Sequence, residues 1–246
     1  MIQMLGCLRM CGLVITIVML IPAICLQAQD GVVLLHGLCR TKASMRQMEA
    51  ALQKAGFCVE NVDYPSRTAT IEQLSDAAIG NALESPKLKG CAKVHFVAHS
   101  LGGILVRSYF KRHNFTRLGR VVMLGPPNRG SEVVDAFGTW WLFRKLNGPA
   151  GGELGTGSDS TPNKLGPVEF ELGVIAGDHS INLINSMIIK GSDDGKVSVE
   201  RTKVDGMKEH IVVHSTHPYL MKNEDVIENT ITFLQTGSFH NPAAIP

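Results

Sequence analysis

Ser100 lies in the pentapeptide Ala98-His99-Ser100-Leu101-Gly102, where small residues stand two positions before and after the serine. This is the G-x-S-x-G pattern with alanine in place of the first glycine. The motif holds its serine on a tight strand-to-helix turn, so only small residues can flank it, and the exposed hydroxyl can attack a carbonyl carbon. Residues 94–98 have the composition of a buried strand and residues 102–113 that of a helix. Ser100 is therefore the candidate nucleophile.

A tetrahedral oxyanion formed at Ser100 would need two backbone N–H donors. The residue after the nucleophile, Leu101, is expected to supply one of them. The loop after the first predicted strand should supply the other, and here it contains His36-Gly37-Leu38. Gly37 allows the backbone to turn sharply, which makes the N–H of Leu38 the second candidate.

A histidine must accept the proton from Ser100, and the chain has nine histidines. Where the serine lies on such a turn, the acid and then the histidine follow it in the chain. This order leaves His217, in the loop between the last predicted strand and the final helix, as the favoured base. His214, three residues earlier at the strand end, is the rival.

The acid that orients this imidazole is less clearly marked. Asp178 directly follows the fifth predicted strand, where strand counting would place an acid. Asp193 and Asp194 lie further on, in a turn between two glycines, and Asp205 is a fourth candidate. Hydrophobic periodicity does not choose among these four.

The elements that would position these residues alternate between strand and helix. Six short apolar runs predict strands, and helical spacing of apolar residues predicts the segments between several of them. The predicted strands are 32–35, 57–62, 94–98, 121–124, 172–176 and 211–213. The predicted helices are 43–55, 70–83 and 102–113, with a final amphipathic helix that includes 226–234. This alternation predicts parallel βαβ crossovers, and hence a sheet covered by helices on both faces.

Residues 137–167 interrupt the alternation. They are rich in glycine and proline and contain the apolar cluster Trp140-Trp141-Leu142-Phe143. An insertion this long in a compact domain is usually functional or disordered. We expect a cap or lid over the site, whose apolar cluster forms either a wall for acyl chains or an anchor to the core.

The N-terminus has the features of a targeting signal. Residues 10–26 carry no charge, and Arg9 is the only charged side chain before Asp30. We expect residues 1–28 to be a signal peptide, or else an uncleaved membrane anchor, followed by one domain over residues 29–246. The protein is then exported to the periplasm or secreted. Cys58 and Cys91 are the first pair to test for a disulfide, the alternative being small buried apolar side chains.

Composition limits the classes of partner. The 24 basic and 22 acidic residues leave a net charge of +2, which argues against a nucleic-acid surface. The sequence contains no C-x-x-C pair, no H-E-x-x-H and no phosphate-binding loop with its lysine, so no metal or other cofactor is predicted.

Several segments together resemble the α/β-hydrolase superfamily, and more closely its bacterial esterases related to triacylglycerol lipases. They are VVLLHGL (32–38), VHFVAHSLGG (94–103), LGPPNRGSEV (124–133), DDGKVSVE (193–200) and HSTHPYLM (214–221). The resemblance implies an α/β-hydrolase fold and the triad Ser100, Asp194 and His217, with Asp193 as an alternative acid. It implies a small-molecule or lipid ester as substrate, with contact at a lipid interface. A thioesterase or acyltransferase with the same triad, or a non-catalytic binding protein of this fold, are the alternatives.

Overall fold

A computed structural model describes residues 29–240 of the chain. The predicted signal segment 1–28 lies outside the described residues, as do residues 241–246. Within residues 29–240, no helix combines the length and apolar character needed to cross a bilayer.

Six strands form one sheet in which every neighbouring pair is parallel. They are β1 (Gly31–Leu35), β2 (Cys58–Val62), β3 (Val94–His99), β4 (Leu118–Leu124), β5 (Leu172–Gly177) and β6 (Glu209–Val213). Their order across the sheet is β2-β1-β3-β4-β5-β6. The sequence-based prediction of a mostly parallel sheet with crossover helices is confirmed. All six strands were anticipated, although β4 begins three residues and β6 two residues earlier than the apolar runs suggest.

Eight α-helices connect or flank the strands of the described region. They are α1 (Arg46–Lys54), α2 (Ile71–Leu83), α3 (Leu101–Arg112), α4 (Glu132–Phe137), α5 (Trp141–Gly152), α6 (Thr161–Lys164), α7 (Leu183–Ile188) and α8 (Glu224–Thr236). The helix predicted over residues 43–55 is instead a 3-10 turn, Lys42–Met45, followed by α1. Thr70 caps α2 as expected, because its hydroxyl accepts a hydrogen bond from the Gln73 N–H at 3.3 Å.

Helices cover both faces of the sheet because strand side chains alternate in direction. Val33 and Leu35 of β1 belong to a buried cluster with α2 and α3. Val32 and Leu34 belong to a second cluster that includes Met48 of α1 and residues of α8. Both clusters are fully apolar at their centres, so the sheet is a buried layer that holds the ends of its strands in fixed positions.

Within residues 137–167 the structure forms α5 and α6. Gly148 has φ +66° and precedes Pro149, so α5 is two helical pieces joined at a kink. A buried arginine of α3, Arg107, donates to the carbonyl oxygens of Asn128 at 2.8 Å, Pro162 at 2.9 Å and Gly166 at 2.8 Å. Burial lowers the pKa of Arg107 to about 10. This guanidinium ties the C-terminal part of the insertion to the body of the fold.

Cys58 and Cys91 approach each other across the first residue of β1. Cys58 is in register with Gly31, and a Cβ at Gly31 would lie 3.0 Å from the sulfur of Cys91. Burial, and then the adjacent Cys58 sulfur, raise the pKa of the Cys91 thiol to about 11. Both residues are free thiols in this structure. Glycine at position 31 therefore leaves room for the side chain of Cys91 beside β1.

Oxidised glutathione is expected to join Cys58 to Cys91 through a mixed disulfide, with release of two molecules of reduced glutathione, because the two sulfurs are adjacent, while the exposed Cys39 forms no bridge to another cysteine of the chain. Peptide mapping of the alkylated protein would identify the linkage. The disulfide should raise the free energy of unfolding by about 2–4 kcal/mol in urea titrations. A Cys58→Ser variant should lose this gain and a Cys39→Ser variant should keep it. A bridge from Cys39 to Cys58 or Cys91, or a wild-type chain in which Cys58 and Cys91 stay unlinked, would contradict this contact.

Candidate active site

Ser100 occupies the sharp turn between β3 and α3, with φ 53° and ψ −120°. Ser100 and Cys39 are the only non-glycine residues with positive φ in the described part of the chain. The neighbouring Gly102 explains why the turn needs small residues. A Cβ there would lie 2.9 Å from the carbonyl oxygen of Leu35 and 3.0 Å from that of His36. The first turn of α3 therefore packs directly against the end of β1, and the strained serine is held by this packing.

The structure brings Ser100, His217 and Asp194 together in one hydrogen-bonded chain. His217 Nε2 lies 3.0 Å from the Ser100 hydroxyl, and His217 Nδ1 lies 2.7 Å from Asp194 Oδ2. The backbone N–H of His217 also donates to the Asp194 carbonyl oxygen at 2.8 Å. All three residues are buried. In this arrangement the imidazole can accept the serine proton at one nitrogen while the carboxylate holds the other nitrogen protonated.

The turn after α7 decides which of the two adjacent aspartates contacts His217. The N–H groups of Lys196 and Val197 donate to Asp194 Oδ1 at 3.0 and 2.9 Å, which leaves Oδ2 for the imidazole. Asp193 instead accepts from the Gly195 N–H at 2.7 Å and from the Ser186 hydroxyl at 3.0 Å. The structure thus places Asp194, and not Asp193, next to His217.

The other candidates from the sequence lie apart from Ser100. His214 and Asp178 contact each other, with Nδ1 and Oδ1 3.0 Å apart, and the His214 side chain is 77% exposed. Asp205 is exposed and accepts from Arg129 at 3.1 Å. Strand counting favoured Asp178 because it directly follows β5. The structure gives it a partner at the surface.

Gly125, which directly follows β4, supports the Asp194–His217 contact and was not recognised from the sequence. It has φ +55°, and a Cβ at this position would lie 3.0 Å from Asp194 Oδ2 and 3.2 Å from His217 Nδ1. Any larger residue would press into the hydrogen bond between them. A glycine between β4 and Pro126-Pro127 was visible in the sequence, but nothing in the local pattern indicates which distant residues approach it.

His99 lies directly against His217 and is 1% exposed. Its Nε2 is 3.0 Å from the carbonyl oxygen of His217, and because a carbonyl only accepts, Nε2 carries the proton. Burial, and then the proximity of His217, hold the pKa of His99 well below its usual range. His99 therefore stays neutral, fixes the backbone of His217 and adds no positive charge beside it.

Of the two expected oxyanion donors, Leu38 lines the same cavity as Ser100, and Leu101 directly follows Ser100 in the chain. Leu101 is the first residue of α3, where backbone N–H groups have no partner within the helix. Among the described residues, neither the Leu101 N–H nor the Leu38 N–H donates to another protein group. A Cβ on Gly37 would lie 2.7 Å from His99 Nδ1 and 3.1 Å from Ser100 Cβ. Glycine at this position lets the Leu38 loop approach the serine.

A cavity of about 370 Å³ opens over Ser100 and His217. Apolar side chains form much of its wall, namely Leu38, Pro127, Val133, Val134, Phe143, Leu154 and Val197. Phe143 is the only member of the 140–143 cluster that lines the cavity. Trp140 is 61% exposed, Trp141 72% and Leu142 49%, so these three side chains extend outward near the cavity instead of anchoring the insertion to the core.

Residues 32–176, more than half of the chain, match the model of the alpha/beta hydrolase family. The chain therefore belongs to the α/β hydrolase family, as the resemblance of its motifs predicted. The matched segment includes Ser100 and ends before Asp194 and His217.

Solved structures with the same fold include several lipolytic enzymes. The mature lipase of Bacillus licheniformis is 21% identical, with a TM-score of 0.67 over 86% of this chain and 93% of that one. A metagenomic carboxyl esterase is 14% identical, with a TM-score of 0.60 over 87% and 72%. One of two metagenome-derived lipolytic enzymes is 17% identical, with a TM-score of 0.59 over 85% and 94%. No curated protein matches the sequence. At these identities the likeness is one of fold.

Proposed function

We propose that this protein is a serine carboxylic-ester hydrolase that acts through Ser100, His217 and Asp194. The observation that carries the proposal is the continuous hydrogen-bonded chain from Asp194 through His217 to the Ser100 hydroxyl, at the base of a cavity with apolar walls. Membership of the α/β hydrolase family supports it, since this fold presents a serine at the same strand-to-helix turn.

In the first half of the reaction, the Ser100 oxygen attacks the ester carbonyl carbon while His217 Nε2 takes its proton. The carbonyl oxygen gains negative charge, which the N–H groups of Leu38 and Leu101 stabilise. One such donor typically lowers the barrier by about 3–4 kcal/mol. Asp194 stabilises the imidazolium and keeps its ring directed at the serine.

The first half ends when His217 gives its proton to the departing alcohol and the acyl group remains on Ser100 as an ester. In the second half, a water molecule loses a proton to His217 and attacks this acyl-enzyme, which forms a second tetrahedral intermediate. When this intermediate collapses, His217 returns the proton to Ser100 and the carboxylic acid is released. Because His99 stays neutral, it places no positive charge beside His217 that would oppose protonation of the His217 imidazole.

The surroundings of the cavity support an apolar acyl substrate presented at a lipid interface. Exposed apolar side chains occur on α5, where Trp141 is 72% exposed, and on α7, where Met187 is 87% exposed. The segment before α7 packs on the turn that carries Asp194, with Ser180 Oγ 3.1 Å from the position of a Cβ on Gly195. Clustered exposed apolar residues mark binding surfaces for partners or lipid. Export from the cytoplasm, which the N-terminal segment predicts, fits this proposal.

A fluorophosphonate probe should label the wild-type protein at one residue, Ser100, and should not label a Ser100→Ala variant. The reason is that only a serine activated by a base reacts readily with such probes. Mass spectrometry of the labelled peptide checks the position. A folded wild-type protein that stays unlabelled would instead support a non-catalytic binding protein of this fold.

Replacing Asp194 by asparagine should lower kcat for 4-nitrophenyl butyrate by roughly 10³- to 10⁴-fold, because the amide favours the wrong imidazole tautomer. The matched control is Asp178→Asn, which removes a carboxylate from the surface pair with His214 and should change kcat by less than about twofold. Equal losses in the two variants would show that the buried contact has no special role.

A series of 4-nitrophenyl esters from acetate to palmitate should show kcat/KM rising with acyl length as long as the added methylenes reach the apolar wall. Each buried methylene is worth about 0.8 kcal/mol, or roughly fourfold. A Trp140→Ser/Trp141→Ser double variant should lower the rate on emulsified triacylglycerol relative to that on dissolved butyrate. A preference for acetate, with no effect of the double variant on that ratio, would assign the site to short soluble esters.

A further inference from the structure

Two cationic side chains line the cavity above Ser100. Arg40 follows the loop that carries Leu38, and Lys196 follows the turn that carries Asp194. No aspartate or glutamate lines this cavity, whose other walls are the apolar side chains and a few neutral polar groups. The cavity in which an ester would bind therefore combines apolar walls with the positive charges of Arg40 and Lys196.

Neither cation is neutralised within the described protein. Among residues 29–240, no carboxylate lies within ion-pair distance of Arg40 or Lys196. Three other arginines of the described chain are bound: Arg107 to carbonyl oxygens, and Arg129 and Arg201 to carboxylates. Arg40 and Lys196 thus keep their donors available to a ligand.

The charges of Arg40 and Lys196 also act on titratable groups that line the cavity. Burial raises the pKa of the Cys39 thiol, while the charges of Arg67, Lys196 and Arg40 act in the opposite direction. The charge of Arg40 also contributes to the lowered pKa of His99. Cys39 and His99 both line the cavity, so the positive charges lie close to its interior.

We propose that Arg40 and Lys196 bind an anionic group of the substrate, so that the preferred ester combines an apolar acyl segment with a negative charge. This inference rests on the proposed ester hydrolysis. A carboxylate or phosphate in this cavity that reached Arg40 and Lys196 would form charge-assisted hydrogen bonds with them, and such bonds are stronger than those between neutral groups. The charge can be carried by the acyl part or by the alcohol part of the ester.

Two pairs of esters distinguish these positions. In the first pair, mono-4-nitrophenyl glutarate carries a negative charge on its acyl part and 4-nitrophenyl pentanoate is its neutral counterpart. In the second pair, 4-butyryloxybenzoate carries the charge on its alcohol part and its methyl ester is the neutral counterpart. For each pair, the ratio of kcat/KM for the anionic ester to that for the neutral ester is compared between proteins, so that intrinsic reactivity cancels. The variants are Arg40→Gln, Lys196→Gln and the double substitution, with Lys89→Gln as a control beyond the amino ends of the strands.

In at least one pair, the ratio should fall on the order of tenfold for each substitution and should not change in Lys89→Gln. An Arg40→Lys variant should retain part of the wild-type ratio. Raising the ionic strength roughly tenfold, from about 0.05 to about 0.5 M, screens the attraction between the charged ester and the two cations, and should therefore lower the wild-type ratio. Ratios in both pairs that neither variant nor salt alters would overturn this inference while leaving ester hydrolysis intact. A wild-type protein that hydrolyses neither the neutral nor the anionic esters would instead contradict the proposed function.

Discussion

The hydrogen bond between Asp194 and His217 is the contact on which the site depends. Asp194 is 1% exposed, and a buried carboxylate is stable only when its oxygens are bound. Two backbone N–H groups of its own turn satisfy Oδ1, and His217 Nδ1 satisfies Oδ2. Since the ring is held at this nitrogen, its other nitrogen is directed at Ser100. The need to pair one buried charge thereby fixes the geometry of the imidazole that we propose as the proton acceptor.

The parallel sheet is what makes this contact possible between residues far apart in the chain. Every strand ends at the same edge, so the segments after β1, β3, β4, β5 and β6 converge there. The converging segments must then approach one another closely, and glycine is required where a side chain would not fit. Gly37 admits the loop of Leu38, one of the two proposed oxyanion donors, Gly102 seats the first turn of α3, and Gly125 leaves room for the Asp194–His217 pair. These three positions link the packing of the core to the chemistry proposed for the site.

The features predicted from the sequence are those with a local signal. Strand and helix alternation indicated the sheet, and the small residues around Ser100 indicated its turn. Asp194 was selected by resemblance alone, because periodicity cannot show that Asp178 pairs with His214 at the surface. Gly125 and the roles proposed for Arg40 and Lys196 were missed, since these roles depend on residues brought near only by folding. Helices α5 and α7 were also missed, because their exposed apolar residues do not follow the one-sided spacing of a packed helix.

The most direct test of this account is a crystal structure of the protein after reaction with an alkyl phosphonate, which mimics the tetrahedral intermediate. We expect phosphorus bonded to the Ser100 oxygen, and one phosphoryl oxygen about 2.7–3.1 Å from the N–H nitrogens of both Leu38 and Leu101. His217 should remain between this group and Asp194. Phosphorus on another side chain, or a phosphoryl oxygen directed to solvent away from both N–H groups, would contradict the account.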